Sequence, residues 1–178
     1  MNSRIPQDLP RAGDPWTLSV KRAHDGLVVG RIGPVCLAIW RTKPTAELFE
    51  LQRRELAAAV ASDPGKIAFF CVVEPTADAP EQAIRDASAA MISSHGKRLA
   101  ATACVIEGSG FRAAITRTVL SGMALVARNA APSRFFEHVS VASAWLGERL
   151  GQGSRETGLA RQVELARERL DFASAARR

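Results

Sequence analysis

Apolar positions along this chain come in two patterns. Some are short unbroken runs, and others recur every three or four residues. Leu27–Val29 and Val35–Trp40 are short β-rich runs around Gly30–Arg31–Ile32–Gly33–Pro34, which predicts a hairpin with a Gly-Pro turn. Pro44–Thr45–Ala46–Glu47 then opens a helix, with Leu48, Phe49, Leu51, Leu56 and Val60 on its apolar face and Arg53, Arg54 and Glu55 opposite. Asp63–Pro64–Gly65 stops it. Ile67–Val73 is continuously apolar and flanked by turn residues, as in a parallel-sheet strand buried on both faces. After the loop Glu74–Pro80, a helix starts near Pro80 with Glu81 at its positive end. It runs through Ile84, Ala87, Met91 and Ile92 to His95, where Gly96 can cap it. Leu99–Ile106 is a second continuous run, and Phe111–Ala127 reads as a broadly apolar helix. Arg134–Phe136 is a very short strand, and Ser140 can cap a helix through Trp145, Leu146 and Leu150.

The predicted order is β-β-α-β-α-β-α-β-α. Alternation after the hairpin argues for a mixed α/β sheet with right-handed crossovers. Residues 1–25 read as a flexible N-terminal arm, being rich in Pro and Gly, with Trp16–Val20 a short extended piece on the domain edge. The domain spans residues 26–150. Residues 151–178 hold a Gly151–Ser154 linker and a charged amphipathic helix over 155–176. In that helix Leu159, Val163, Ala166, Leu170 and Ala173 form one narrow stripe, suited to docking on its own domain or to a loosely ordered tail in preference to pairing as a homodimer.

Composition narrows the function classes. The chain has 178 residues, 47% hydrophobic and 24% charged, which is ordinary soluble-domain usage with enough length for a real core. Its net charge of +6 is spread without a basic block, Tyr is absent, and the Phe and Trp residues sit in apolar surroundings. That disfavours a nucleic-acid groove, where clustered base and interleaved aromatics are the rule. Every apolar stretch is interrupted well short of the ~18 residues that span a bilayer, so no membrane insertion and a cytoplasmic location are expected. Cys36, Cys71 and Cys104 lie far apart inside strand-like runs, the pattern of reduced thiols and not of a metal site.

The element order resembles that of STAS domains, the SpoIIAA-like fold of anti-sigma factor antagonists. Two phrases strengthen the likeness to SpoIIAA-like (STAS/SEC14) bacterial proteins of unassigned role: IEGSGFRAAITRTVLSGMALVAR at 106–128 and PSRFFEHVSVASAWL at 132–146. The resemblance implies a non-enzymatic regulatory or scaffolding module that binds a protein partner through the loop after the Ile67–Val73 strand. Thr76, Asp78 and Glu81 are the residues that carry this expectation. The family's switch is a phosphorylatable Ser in an Asp-Ser-(Ser or Thr)-Gly loop. Here Asp78 is followed by Ala79 and Pro80, so that chemistry does not carry over.

The alternative is a small anionic or acyl ligand. Gly108–Ser109–Gly110 lies between a strand and a helix, where free N–H groups hold anions, and Arg112 adds a charged donor. The same residues also make an ordinary tight turn with Ser109 as an N-cap. Glu74 and Glu107 end two strands, where they serve either chemically, as an acid/base pair or a grip on a cation, or structurally, as solvated strand ends or salt-bridge partners of neighbouring arginines. No motif for a nucleophile, a metal or a cofactor is present, and none of these is expected.

Overall fold

The computed structural model describes residues 16–109, 131–152 and 158–175. The strands are β1 (Leu18–His24), β2 (Leu27–Ile32), β3 (Val35–Trp40), β4 (Ile67–Val73), β5 (Leu99–Ile106) and β6 (Ser133–Phe136). The described helices are α1 (Ala46–Ser62), α2 (Gln82–His95), α3 (Val139–Arg149) and α4 (Leu159–Ala175). All six strands form one sheet in sequence order. β1, β2 and β3 pair antiparallel, and β3 through β6 pair parallel. This is the mixed α/β architecture that the alternation predicts. The helix expected at 111–127 lies outside the described residues.

Local sequence explains most boundaries. Gly33, at φ 53°, and Pro34 make the two-residue turn that pairs Ile32 with Val35. The Thr45 hydroxyl accepts the Leu48 N–H at 3.3 Å and starts α1. Helix α3 ends at Gly151, φ 71°, where Gly151 N–H and Gln152 N–H bond back to Glu148 and Gly147. That is a Schellman closure, which a left-handed glycine permits.

Two expectations need correction. The arm expected over 1–25 contains β1, which pairs along β2 from Leu18↔Ile32 to His24↔Leu27. Gly96 does stand at the C-cap of α2, as expected, and at φ −53° it leads into a 3-10 turn, Gly96–Arg98. Ser140 is not the cap of α3, whose N-cap is His138 without a side-chain bond.

The sheet separates two apolar clusters. One face packs against α1 and α2, burying Leu48, Phe49, Leu56, Phe69, Met91 and Ile106 among others. The opposite face packs against α3 and α4 through Leu37, Ile39, Phe70, Val72, Ala101, Ala103 and Val105. Leu159, Val163, Ala166 and Leu170 are 0–1% exposed within this second cluster, so the stripe of α4 is docked on the chain's own sheet. Small alanines on β5 let α3 approach closely. Phe136 of β6 meets Trp145 of α3 with ring centroids 5.5 Å apart.

Candidate functional site

A cavity of about 130 Å³ opens on the α1/α2 face of the sheet. Trp40 ends β3 beside it, Phe69, Cys71 and Val73 come from β4, and Thr102 and Cys104 from β5. Phe135 closes one side from β6, while Phe49 and Gln52 of α1 and Ile84 and Met91 of α2 form the roof. Period-2 alternation is what puts Phe135 in this wall and its neighbour Phe136 in the opposite cluster. Small side chains at Thr102, Cys104 and Ser133 leave the space that the aromatics frame.

The few polar groups in the wall are largely satisfied. Gln52 is buried, and its carbonyl oxygen accepts the Trp40 indole N–H at 2.7 Å. Its amide nitrogen reaches the Met91 sulfur at 4.0 Å. Thr102 differs, because its hydroxyl oxygen is buried and has no hydrogen-bond partner among the described residues. An unpaired buried hydroxyl costs free energy and calls for an explanation.

A second constellation lies at the carboxyl ends of the parallel strands, where open α/β sheets collect ligands. Arg41, just after β3, grips Glu74, just after β4, at two points: Nε to Oε2 at 2.6 Å and Nη2 to Oε1 at 3.2 Å. Arg41 also donates to Asp171 of α4. Arg167 of α4 donates to Glu107 at 2.8 Å and lies 3.7 Å from Glu74. Both strand-end carboxylates are thus held by arginines. Of their expected roles, the salt-bridge role is the one the geometry shows.

The partner-loop residues are brought to one edge of the cavity. Thr76, Asp78 and Glu81 are all exposed, and Asp78 and Pro80 contribute to the cavity rim. The Thr76 hydroxyl donates to the Arg41 carbonyl at 2.7 Å, which ties the loop to the end of β3. Glu81 is the N-cap position of α2, and its carboxylate accepts from Lys43 at 2.6 Å. That hydrogen bond holds the Glu81 carboxyl below its ordinary range. Of the anion-turn residues, Gly108 lies against Pro75 of this loop, close enough that an added Cβ would come within 3.3 Å of the Pro75 ring. Gly108, at φ 93°, and Ser109 are exposed, whereas Gly110 and Arg112 lie outside the described residues. No group of three or more His, Cys, Asp or Glu able to hold a metal occurs among the described residues. No described helix is long and apolar enough to cross a membrane.

The thiols occupy two environments. Cys36 is fully buried, and burial pushes its pKa up to about 12. Cys71 and Cys104 are free and half-buried in the cavity wall. Sharing a proton with Cys71, in which Cys104 is the donor, together with burial raises the Cys104 thiol well above the usual range.

A pH dependence follows for Cys36. Its folded pKa lies above the unfolded value, so folding keeps a proton that the unfolded chain has lost. Stability is unaffected below about pH 8 and falls as pH rises from about 9 toward 12, by up to ~1.4 kcal/mol per pH unit from this thiol. No tyrosine contributes in that window, because the chain has none. Urea unfolding at pH 8 and pH 11 should show a smaller pH loss for Cys36→Ala than for the parent. An equal loss in both proteins would mean that Cys36 titrates normally.

No protein-family model matches the sequence, and none of the curated proteins matches it. Among solved structures, the chain is similar to an uncharacterized protein from the DUF3478 family with a SpoIIAA-like fold, from Shewanella loihica PV-4. The similarity covers 73% of this chain and 92% of that one, at 18% identity and a TM-score of 0.48. The likeness is one of fold. At that identity and score it carries no argument about this chain's family, activity or partners.

Proposed function

We propose that this chain is a non-enzymatic binding module whose cavity takes a small apolar group, an aromatic ring or a short acyl chain. The observation that carries the reading is the cavity itself, about 130 Å³ with walls of Trp40, Phe49, Phe69, Ile84, Met91 and Phe135. An apolar cavity of roughly 150 Å³ is known to stay dry and to accept benzene. The unpaired Thr102 hydroxyl supports a ligand with one polar atom on an apolar body. This narrows the acyl alternative; the anionic one belongs to the Gly108–Gly110 turn and Arg112, a separate place of which Gly110 and Arg112 lie outside the described residues.

Thermal unfolding with phenol and with 1-hexanol tests the reading. At about 100 times the dissociation constant a ligand adds ~2.7 kcal/mol of stability, which raises the midpoint by several degrees. Ala89 is buried at the cavity wall, so Ala89→Leu should fill the space and abolish the rise. No rise in the parent protein, or an equal rise in Ala89→Leu, would sink the proposal.

A regulatory role through a protein partner is the second reading. It is favoured by the exposure of Thr76, Asp78 and Glu81 on a single loop at the cavity rim. The two readings are compatible, since an occupant of the cavity would lie against the loop that meets the partner.

A further inference from the structure

The strand register brings together two thiols that are 33 residues apart in the chain (104 − 71 = 33). Cys71 of β4 and Cys104 of β5 are directly paired across parallel strands. Both side chains lie on the cavity side of the sheet, half-buried in the wall of the cavity. Cys36 takes no part, because it pairs with Phe69 and is fully buried. We propose that Cys71 and Cys104 form a dithiol site for a soft, thiophilic centre that carries an apolar substituent.

Geometry favours such a bridge over a direct disulfide. Neighbouring strands lie about 4.8 Å apart, and side chains directly opposed on parallel strands keep a similar separation at Cβ. A disulfide prefers a Cβ separation near 3.8 Å, so forming one would pinch the sheet. A third atom between the sulfurs removes that demand. Trivalent arsenic with one carbon substituent is such an atom. Phenylarsine oxide condenses with two thiols: two As–S bonds form, the As–O bond breaks, and both thiol protons leave with the oxygen as water. No electron is transferred and no oxidant is needed. The phenyl ring then has the adjacent apolar cavity to enter. The site uses the cavity of the proposed function, but the condensation itself needs only the closeness of the two sulfurs.

The full-length protein treated with one equivalent of phenylarsine oxide should give one adduct per chain by mass spectrometry. Excess glutathione should strip that adduct roughly 100-fold more slowly than it strips Cys71→Ser or Cys104→Ser, because two attachments act together. Cys36→Ser should behave like the parent. A parent adduct lost as fast as those of Cys71→Ser and Cys104→Ser overturns the proposal. The parent alone provides an independent check that does not depend on how the variants fold. Denaturation and alkylation with iodoacetamide after arsenical treatment should leave Cys71 and Cys104 both unmodified and Cys36 modified. Protection of only one of the pair, or of Cys36, overturns it equally. If phenol fails to bind while the stable adduct forms, the cavity reading falls and the dithiol stands; the reverse result removes only the dithiol.

Discussion

Replacing Leu170 by alanine is expected to cost about 3 kcal/mol of stability, within the range for truncating a fully buried leucine. Leu170 is 0% exposed, although it lies eight residues from the end of the chain (178 − 170 = 8). It follows Leu159, Val163 and Ala166 along one stripe of α4 and joins the cluster formed by Leu37, Ile39 and Phe70. The cost has two parts: the transfer of the lost methyl groups and the void left in a well-packed layer. Phe172, two positions on, is 70% exposed, and Phe172→Ala should change stability by no more than about 0.5 kcal/mol. Guanidinium unfolding of both variants measures the contrast. A single transition with a lowered midpoint for Leu170→Ala shows that α4 belongs to the cooperative unit. A parent-like midpoint would mean that α4 is an appendage.

The contrast between α4 and β1 shows what the sequence could and could not disclose. The stripe of α4 is legible because helical spacing places Leu159, Val163, Ala166 and Leu170 on one side. β4 is legible because seven consecutive apolar residues, Ile67–Val73, leave no other reading for a short segment. β1 carries a weaker signal. It is an edge strand in which Leu18 and Val20 alone pack inward, and a register shift between Val20 and Arg22 breaks the alternation. Lys21 and Arg22 make it look like solvated arm, although charge on an edge strand is a normal guard against strand addition. Asp25–Gly26 before Leu27 was the available hairpin signal.

The site was legible only in fragments. Glu74 and Glu107 could be placed at strand ends from the apolar runs that precede them. Arg167, which holds Glu107, comes from 60 residues further along, and nothing local to either residue announces the pair. The same holds for Cys71 and Cys104, whose meeting depends on how far the intervening helix and turn carry the chain before β5 begins. The cavity draws on two helices, two loops and four strands, so no periodicity within one element reveals it. The loop with Thr76, Asp78 and Glu81 was found by resemblance, and its position at the cavity rim emerged only in three dimensions.

Arg41→Ala should be the most damaging change among the charged residues, with an expected loss of about 2–4 kcal/mol. The guanidinium binds the Glu74 carboxylate at two points and also reaches Asp171 on α4. The Glu74 side chain is only 8% exposed, so losing Arg41 leaves a carboxylate with little water and with Arg167 at 3.7 Å as its remaining cationic neighbour. The penalty is mostly that of the abandoned charge, not of the bond removed. Three comparisons separate these contributions. Arg41→Lys keeps the charge but loses the planar fork, so it should recover only part of the loss. Asp171→Ala removes a partner that is 65% exposed and should cost less than about 1 kcal/mol. Adding Glu74→Gln to Arg41→Ala should restore about 1–3 kcal/mol, the coupling expected of two groups in one buried network. Urea unfolding of the four proteins at neutral pH measures all of these. If Arg41→Ala costs no more than Asp171→Ala, Glu74 is not stranded by the loss, and the strand-end network is a surface feature. If the expected order holds, Arg41 ties three elements at once, the ends of β3 and β4 and the flank of α4. The docking of α4 then depends on a carboxylate that its own sequence does not contain.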